Sequence, residues 1–243
     1  MDAHLLWLLP VGVVAGVVNT VAGGGSFLTL SAMVWLGLPA PVANATNRVG
    51  VLTQSVASAE VFRRAGVART EELWPQLALV GAGAALGATA SAAIDPERFD
   101  RILGVAMVVM LALTLARPRV WLDPGPARAS RWPVLFLAGM YGGFLQAGVG
   151  VILLAALVLL GGLEPVRANA RKVLLVAGLT APALAIFIWA GLVDWIAGGL
   201  LAVGSLAGGL VGSRLTLGAG ARLVWGALVV VVLATAVRLW IGA

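Results

Sequence analysis

Residues 19–38 read NTVAGGGSFLTLSAMVWLGL, with three consecutive glycines inside a run otherwise apolar enough for a lipid bilayer. Glycine is a poor residue for a helix interior. In lipid, an unpaired backbone group is costly. The stretch therefore predicts a helix that stops at Gly23-Gly24-Gly25 and another that starts at Ser26. The second apolar segment, 26–37, has 12 residues, or about 18 Å of helix. A hydrocarbon core is about 30 Å thick. Broken backbone at that depth survives only where protein or a water-filled cavity satisfies it.

The whole chain shares this apolar character. Of its 243 residues 61% are hydrophobic and 11% charged, with a mean hydropathy of +1.04. A soluble domain carries about 25% charged residues. Ten apolar segments follow one another, roughly 5–21, 26–37, 44–61, 73–93, 99–116, 133–147, 150–161, 170–190, 195–213 and 221–240. The expected fold class is an all-α polytopic membrane protein of 8–10 segments. The N-terminus MDAHLLWLLPVGVV has no basic n-region and no small-residue cleavage site, so it reads as a retained segment rather than a signal peptide. With no cysteine and a single histidine, His4, thiolate chemistry and a metal centre are excluded as expectations. No HExxH, GxSxG or buried Asp pair points to an enzyme. The net charge of +6 resides mostly in loops, where it orients a membrane chain; no basic-aromatic platform suggests nucleic acid.

The longest polar break, RPRVWLDPGPARASR at 117–131, divides the chain into 1–116 and 132–243. The halves look related. Gly12, Gly16, Asn19 and Gly23 repeat as Gly139, Gly143, Gln146 and Gly150; ANA at 43–45 repeats as ANA at 168–170, which includes Asn169; Gly83 and Gly87 repeat as Gly208 and Gly212. Five segments per half is an odd number, so the second copy should enter the membrane from the opposite face. With the central loop inside, ten arginines collect there (63, 64, 69, 117, 119, 128, 131, 167, 214 and 222) against three outside (98, 101 and 238). The expectation is a single membrane domain of two inverted-topology repeats, about five segments each, with a cytoplasmic loop between them.

Each half then holds a short Gly-broken hairpin, at Gly23-Gly24-Gly25 and around Gly148-Val149-Gly150. Paired interrupted segments in matching positions point to a transporter's substrate site. A helix that begins at depth aims free N–H groups and partial positive charge at the break, which suits an anion. Ser26 adds a hydroxyl and a possible cap. The remaining GxxxG pairs read as close helix packing. A second cluster is PVANATNRVGVLTQ, 41–54, mirrored by PVRANARKVLLV, 165–176. Asn44 reads as an N-cap. Thr46, Asn47 and Gln54 are polar groups in an apolar helix, and Arg48 and Lys172 (or Arg171) are cations near helix starts, where they oppose the dipole. Either they attract an anion, or they snorkel to headgroups. Eight tryptophans near segment ends, from Trp7 to Trp240, read as an aromatic belt.

The run Gly16, Asn19, Gly23–Gly25, Leu36-Gly37, Ala43, Thr46, Asn47 and Arg48 resembles the motif of the TauE/SafE sulfite-exporter family, also called the toluene-sulfonate uptake permeases (TSUP), over nearly the whole chain. The resemblance implies a multi-pass permease of the bacterial inner membrane that moves sulfite, sulfonates or related small anions, coupled to protons, with no cofactor. Two departures stand out: relatives often carry an acid where this chain has Asn19 and Gln146, and the proline after the glycines is missing. Among the acids, Glu60 is the best placed in an apolar segment. The resulting expectation is a secondary transporter that binds its anion through Asn19, Thr20, Gly23, Gly24, Gly25, Ser26, Thr46, Asn47, Arg48, Gln146, Gly148, Gly150, Asn169 and Lys172, with rocking halves. A passive anion channel and a permease for another small organic anion are the alternatives, and a homodimer is an assembly this reading allows.

Overall fold

The computed structural model describes residues 3–67, 73–116, 126, 128 and 131–241. These residues form helices joined by short turns, with no strand among them. A 3-10 turn, Ala3–Trp7, leads into α1 (Leu8–Val21); α2 (Ser26–Trp35), α3 (Ala40–Arg64), α4 (Leu73–Ala93) and α5 (Pro96–Ala116) follow. Beyond the central loop come α6 (Arg131–Phe144), α7 (Val149–Leu159), α8 (Pro165–Trp189) and α9 (Trp195–Ile241). Of the 117–131 loop, only Pro126, Arg128 and Arg131 belong to the described residues. Arg69, Arg117, Arg119 and Trp121 lie outside them.

Both expected breaks are present, and α2 and α7 are only 10 and 11 residues long. Among the described residues, four helical stretches are long and apolar enough to cross a membrane: His4–Val21, Leu73–Ala93, Pro165–Trp189 and Trp195–Gly218. Helix α3 is as long as α8, 25 residues each. It is less apolar because Asn44, Thr46, Asn47, Arg48, Gln54, Ser55 and Ser58 all project from it, and all are buried. The outside is apolar instead: Val56, Leu86, Val105, Val203 and Trp189 are exposed. Polar inside and apolar outside is the arrangement a bilayer stabilises.

Three expectations need correction. Helices α3 and α8 start at Ala40 and Pro165, not at 44 and 170, so Asn44 lies inside its helix. Their caps, Pro39 and Glu164, are extended (ψ 140° and 146°), and Pro41 and Pro165 occupy the first turn, where proline loses no hydrogen bond. Arg48 and Lys172 consequently sit about two turns into their helices rather than at the first turn. The segments expected at 195–213 and 221–240 form one helix of 47 residues. Between Arg214 and Arg222 stand two separated glycines and no proline. A lone glycine costs about 1 kcal/mol in a helix but does not end it.

Glycines bring the long helices together. Gly12 and Gly16 of α1 face Gly204 and Gly208 of α9; a Cβ on Gly16 would stand 2.7 Å from the Ser205 carbonyl oxygen. Gly83 of α4 and Gly139 of α6 meet the facing backbone in the same way, and a Cβ on either would come within 2.9 Å of it. The GxxxG pairs therefore serve packing. Helix α1 packs on α9 and α4 on α6, while α3 and α8 lie against each other and against α9 and α4 respectively. The two breaks end up side by side between them.

Candidate anion site at the two helix breaks

The first break turns through Gly23, whose φ of +91° favours glycine. The Asn19 side chain then bridges the gap: its Oδ1 accepts the Ser26 N–H at 3.1 Å and its Nδ2 donates to Ser26 Oγ at 3.3 Å. One orphan amide of the α2 N-terminus is thus satisfied from α1. Ser26 is not the cap; Gly25 takes that position and offers no side chain. Gly25 is pressed against the Ala15 carbonyl of α1, so its missing side chain serves packing.

The second break is built differently. Gln146 is the one described non-glycine residue with positive φ, 63°, followed by Gly148 at 76°. Tyr141 Oη donates to the Ala147 carbonyl at 2.7 Å. Gln146 Nε2 donates to Thr180 Oγ1 at 3.2 Å, and its Oε1 accepts from Arg48 at 2.6 Å. The breaks meet backbone to backbone at Gly23 and Gly150: a Cβ on Gly150 would lie 2.6 Å from the Gly23 Cα.

Both cations found by sequence are fully buried, and each is spent on the C-terminal end of a broken helix. Arg48 Nη1 donates to the Gly142 carbonyl at 2.9 Å and Nη2 to the Gly143 carbonyl at 2.6 Å, in the last turn of α6. Its guanidinium lies over the Phe187 ring, 4.7 Å from the centroid, and its Nε finds no hydrogen-bond partner. Asn44, one turn earlier on α3, donates to the Phe144 carbonyl at 2.9 Å. Lys172 Nζ donates to the carbonyls of Asn19 at 3.0 Å and Thr20 at 2.9 Å, at the end of α1. A helix C-terminus carries partial negative charge, so cations are favourable there. Neither cation has a carboxylate beside it; half-exposed Glu60 pairs instead with Arg63 and Arg64 near the end of α3.

A narrow cavity opens where the breaks meet, with room for about one water molecule. Its polar walls are Asn19, Ser26, Gln54, Ser55, Gln146 and Lys172; Gly23 and Gly150 provide backbone, and Val51, Val149, Val173 and Val176 close it. Two wall atoms, Gln54 Oε1 and Ser55 Oγ, are buried without a partner. Unmet polar atoms, a lysine amine with no carboxylate partner and the first turns of α2 and α7 make a concave polar site in which donors face the cavity.

Of the fourteen sequence candidates, the cavity gathers Asn19, Gly23, Ser26, Gln146, Gly150 and Lys172. The others take other places. Thr20 Oγ1 pairs with Ser58 Oγ at 3.1 Å, Asn47 Oδ1 accepts from Thr29 at 2.6 Å, Thr46 Oγ1 accepts the Asp194 N–H at 2.9 Å, and Asn169 Nδ2 donates to Thr216 at 3.4 Å. Gly24 and Gly148 belong to the turns, Gly25 to packing, and Arg48 braces α6 without lining the cavity. Arg171 donates to Gln76 of α4 at 3.0 Å. Ser55 and Gln54 also line the cavity, although the sequence singles out no role for either. The signal for both is the polar stripe Asn44, Asn47/Arg48, Gln54/Ser55 and Ser58 on α3, spaced at helical period and interrupted only at Val51.

Comparison with known proteins gives consistent results. Residues 8–239 match the family model described as sulfite exporter TauE/SafE. The chain is 29% identical to the Sinorhizobium sp. "probable membrane transporter protein ORF9", across 97% of this chain and 92% of that protein. It is 28% identical to the Escherichia coli K12 "probable membrane transporter protein YfcA", across 91% and 84%. A "probable membrane transporter protein" of Haemophilus influenzae shares 26% identity, across 89% and 87%. No solved structure matches.

Proposed function

The chain belongs to the TauE/SafE sulfite exporter family, and from that premise we propose that it is a membrane transporter for a small sulfur-containing anion, such as sulfite or an organosulfonate. The observation that carries this is Lys172. Its buried amine faces a polar cavity without an acid, between the first turns of two broken helices. Once protonated at membrane depth, such an amine calls for a negative ligand, and helix N-termini supply further donors. Gly23, Gly150, Asn19, Ser26, Ser55 and Gln146 would complete the shell.

The same reading makes the protein two inverted repeats, 1–116 and 132–243, in a bacterial inner membrane, with 117–131 inside. Support comes from the order of elements: 14, 10, 25 and 21 residues for α1 to α4 against 14, 11 and 25 for α6 to α8. It also comes from reciprocal packing, α1 on α9 and α4 on α6. The Gly23–Gly150 contact would then join equivalent positions. A cavity with room for about one water suits an occluded carrier better than an open channel, and rocking of the repeats would widen it. Purified protein in liposomes should show saturable flux of labelled sulfite and of methanesulfonate. Equal flux in Lys172→Gln would remove the assigned site; flux without saturation would replace the carrier by a channel.

A further inference from the structure

We infer that Lys172 is the proton carrier of transport: its amine takes up a proton with each monoanion and releases both on the far side. This rests on the anion-site reading above. An ammonium has three N–H donors; a neutral amine has two and a lone pair. The structure gives Nζ two acceptors, the Asn19 and Thr20 carbonyls, and leaves its remaining position to the cavity. A neutral lysine therefore satisfies both carbonyls when the site is empty, and the third proton is needed only when an anion is there to accept it.

Among the described side chains of the elements packed around Lys172, no other titratable group faces the cavity. Among the described residues, α1, α2, α4 and α7 carry no ionisable side chain. On α3, Arg48 is spent on α6, and Glu60, Arg63 and Arg64 pair at its far end. On α8, Arg171 turns to Gln76 and Arg167 stands at the helix start. Tyr141 of α6 donates to Ala147, and Arg214 of α9 is exposed. Returning an empty but charged site across lipid is expensive, so loss of the proton with the anion lets the carrier reset. The balance is one proton and one monoanion moving the same way, with no net charge.

Methanesulfonate is the probe because it stays a monoanion and brings no proton of its own. In liposomes with an internal pH dye, the wild type should move one proton per methanesulfonate, follow a pH gradient and ignore an imposed membrane potential. Lys172→Arg keeps the charge but cannot release it, so whatever methanesulfonate exchange it retains should carry no proton. It should lose gradient-driven accumulation by an order of magnitude or more. Flux without proton movement in the wild type, or undiminished accumulation in Lys172→Arg, overturns the inference while the anion site stands. Absence of any methanesulfonate binding or exchange in the wild type removes the site and the inference with it. Should the arginine variant fail to fold, the wild-type proton count decides alone.

Discussion

The two breaks solve one physical problem in two ways. At the second, α3 supplies Asn44 and Arg48 one turn apart, and together they hold the carbonyls of Gly142, Gly143 and Phe144, with Gln146 and the Phe187 ring as further partners. At the first, Lys172 alone holds Asn19 and Thr20. A planar guanidinium with five donors in a fixed fork braces a helix end; a flexible amine that can lose its proton makes a weaker brace. Both cations cap a helix C-terminus, yet only the lysine lines the cavity. Under the proposed reading the contrast separates a bracing cation from one that meets the ligand, a distinction their shared burial does not make.

Arg48→Ala tests the structural end, and the largest effect is expected there. It leaves two carbonyl oxygens and the Gln146 amide short of a donor in a site closed to water. Each such loss costs on the order of 1–3 kcal/mol, so a total of about 3 kcal/mol or more is expected. The checks are the yield of folded protein and its thermal unfolding in detergent. A variant of wild-type stability would erase the contrast between the cations.

Lys172→Met tests the other end. Its stem keeps the apolar packing and two carbonyls lose a donor, so the fold should persist with a lower unfolding temperature. Methanesulfonate should no longer raise that temperature, although it raises it in the wild type through binding to the native state. Ligand stabilisation retained in Lys172→Met would move the anion elsewhere.

Gln146→Gly sharpens the contrast at a smaller scale. Glycine relieves the left-handed φ of 63°, worth about 1–3 kcal/mol, but takes an acceptor from Arg48, worth about 1.5–3 kcal/mol, and a donor from Thr180, worth about 1 kcal/mol. A net loss on the order of 1 kcal/mol is expected. Gln146→Ala keeps the strain and loses the acceptor, so it should be the less stable of the two by thermal unfolding.

Glycine spacing made the breaks, the short helices and the close packing legible, because a residue that cannot hold a helix advertises where the chain stops one. Charge alone made Arg48 and Lys172 conspicuous. Their division of labour was not legible: it depends on which carbonyls lie within reach, and those belong to helices about 94 and 153 residues away in sequence. The fate of Gly25 was hidden for the same reason, since Ala15 fills its open side. Thr46 and Asn169 read as candidates because they are polar, and both are satisfied by neighbours no local pattern names. Ser55 was the reverse case. An unremarkable serine gains interest only when the cavity reaches it.

The smallest effect is expected from Glu60→Gln, and that null result has a use. By composition Glu60 was the best-placed acid for proton transfer. In the structure it is a half-exposed residue near the end of α3, paired with Arg63 at 2.7 Å and Arg64 at 2.6 Å. Exposed pairs three and four residues apart contribute little to stability, and this one lies away from the cavity walls. Neither unfolding temperature nor the number of protons moved per methanesulfonate should change in Glu60→Gln. A variant that transports anion without protons would place the titrating group at the rim of the protein. Lys172 would then be a second fixed brace like Arg48, and the two breaks would differ in geometry alone.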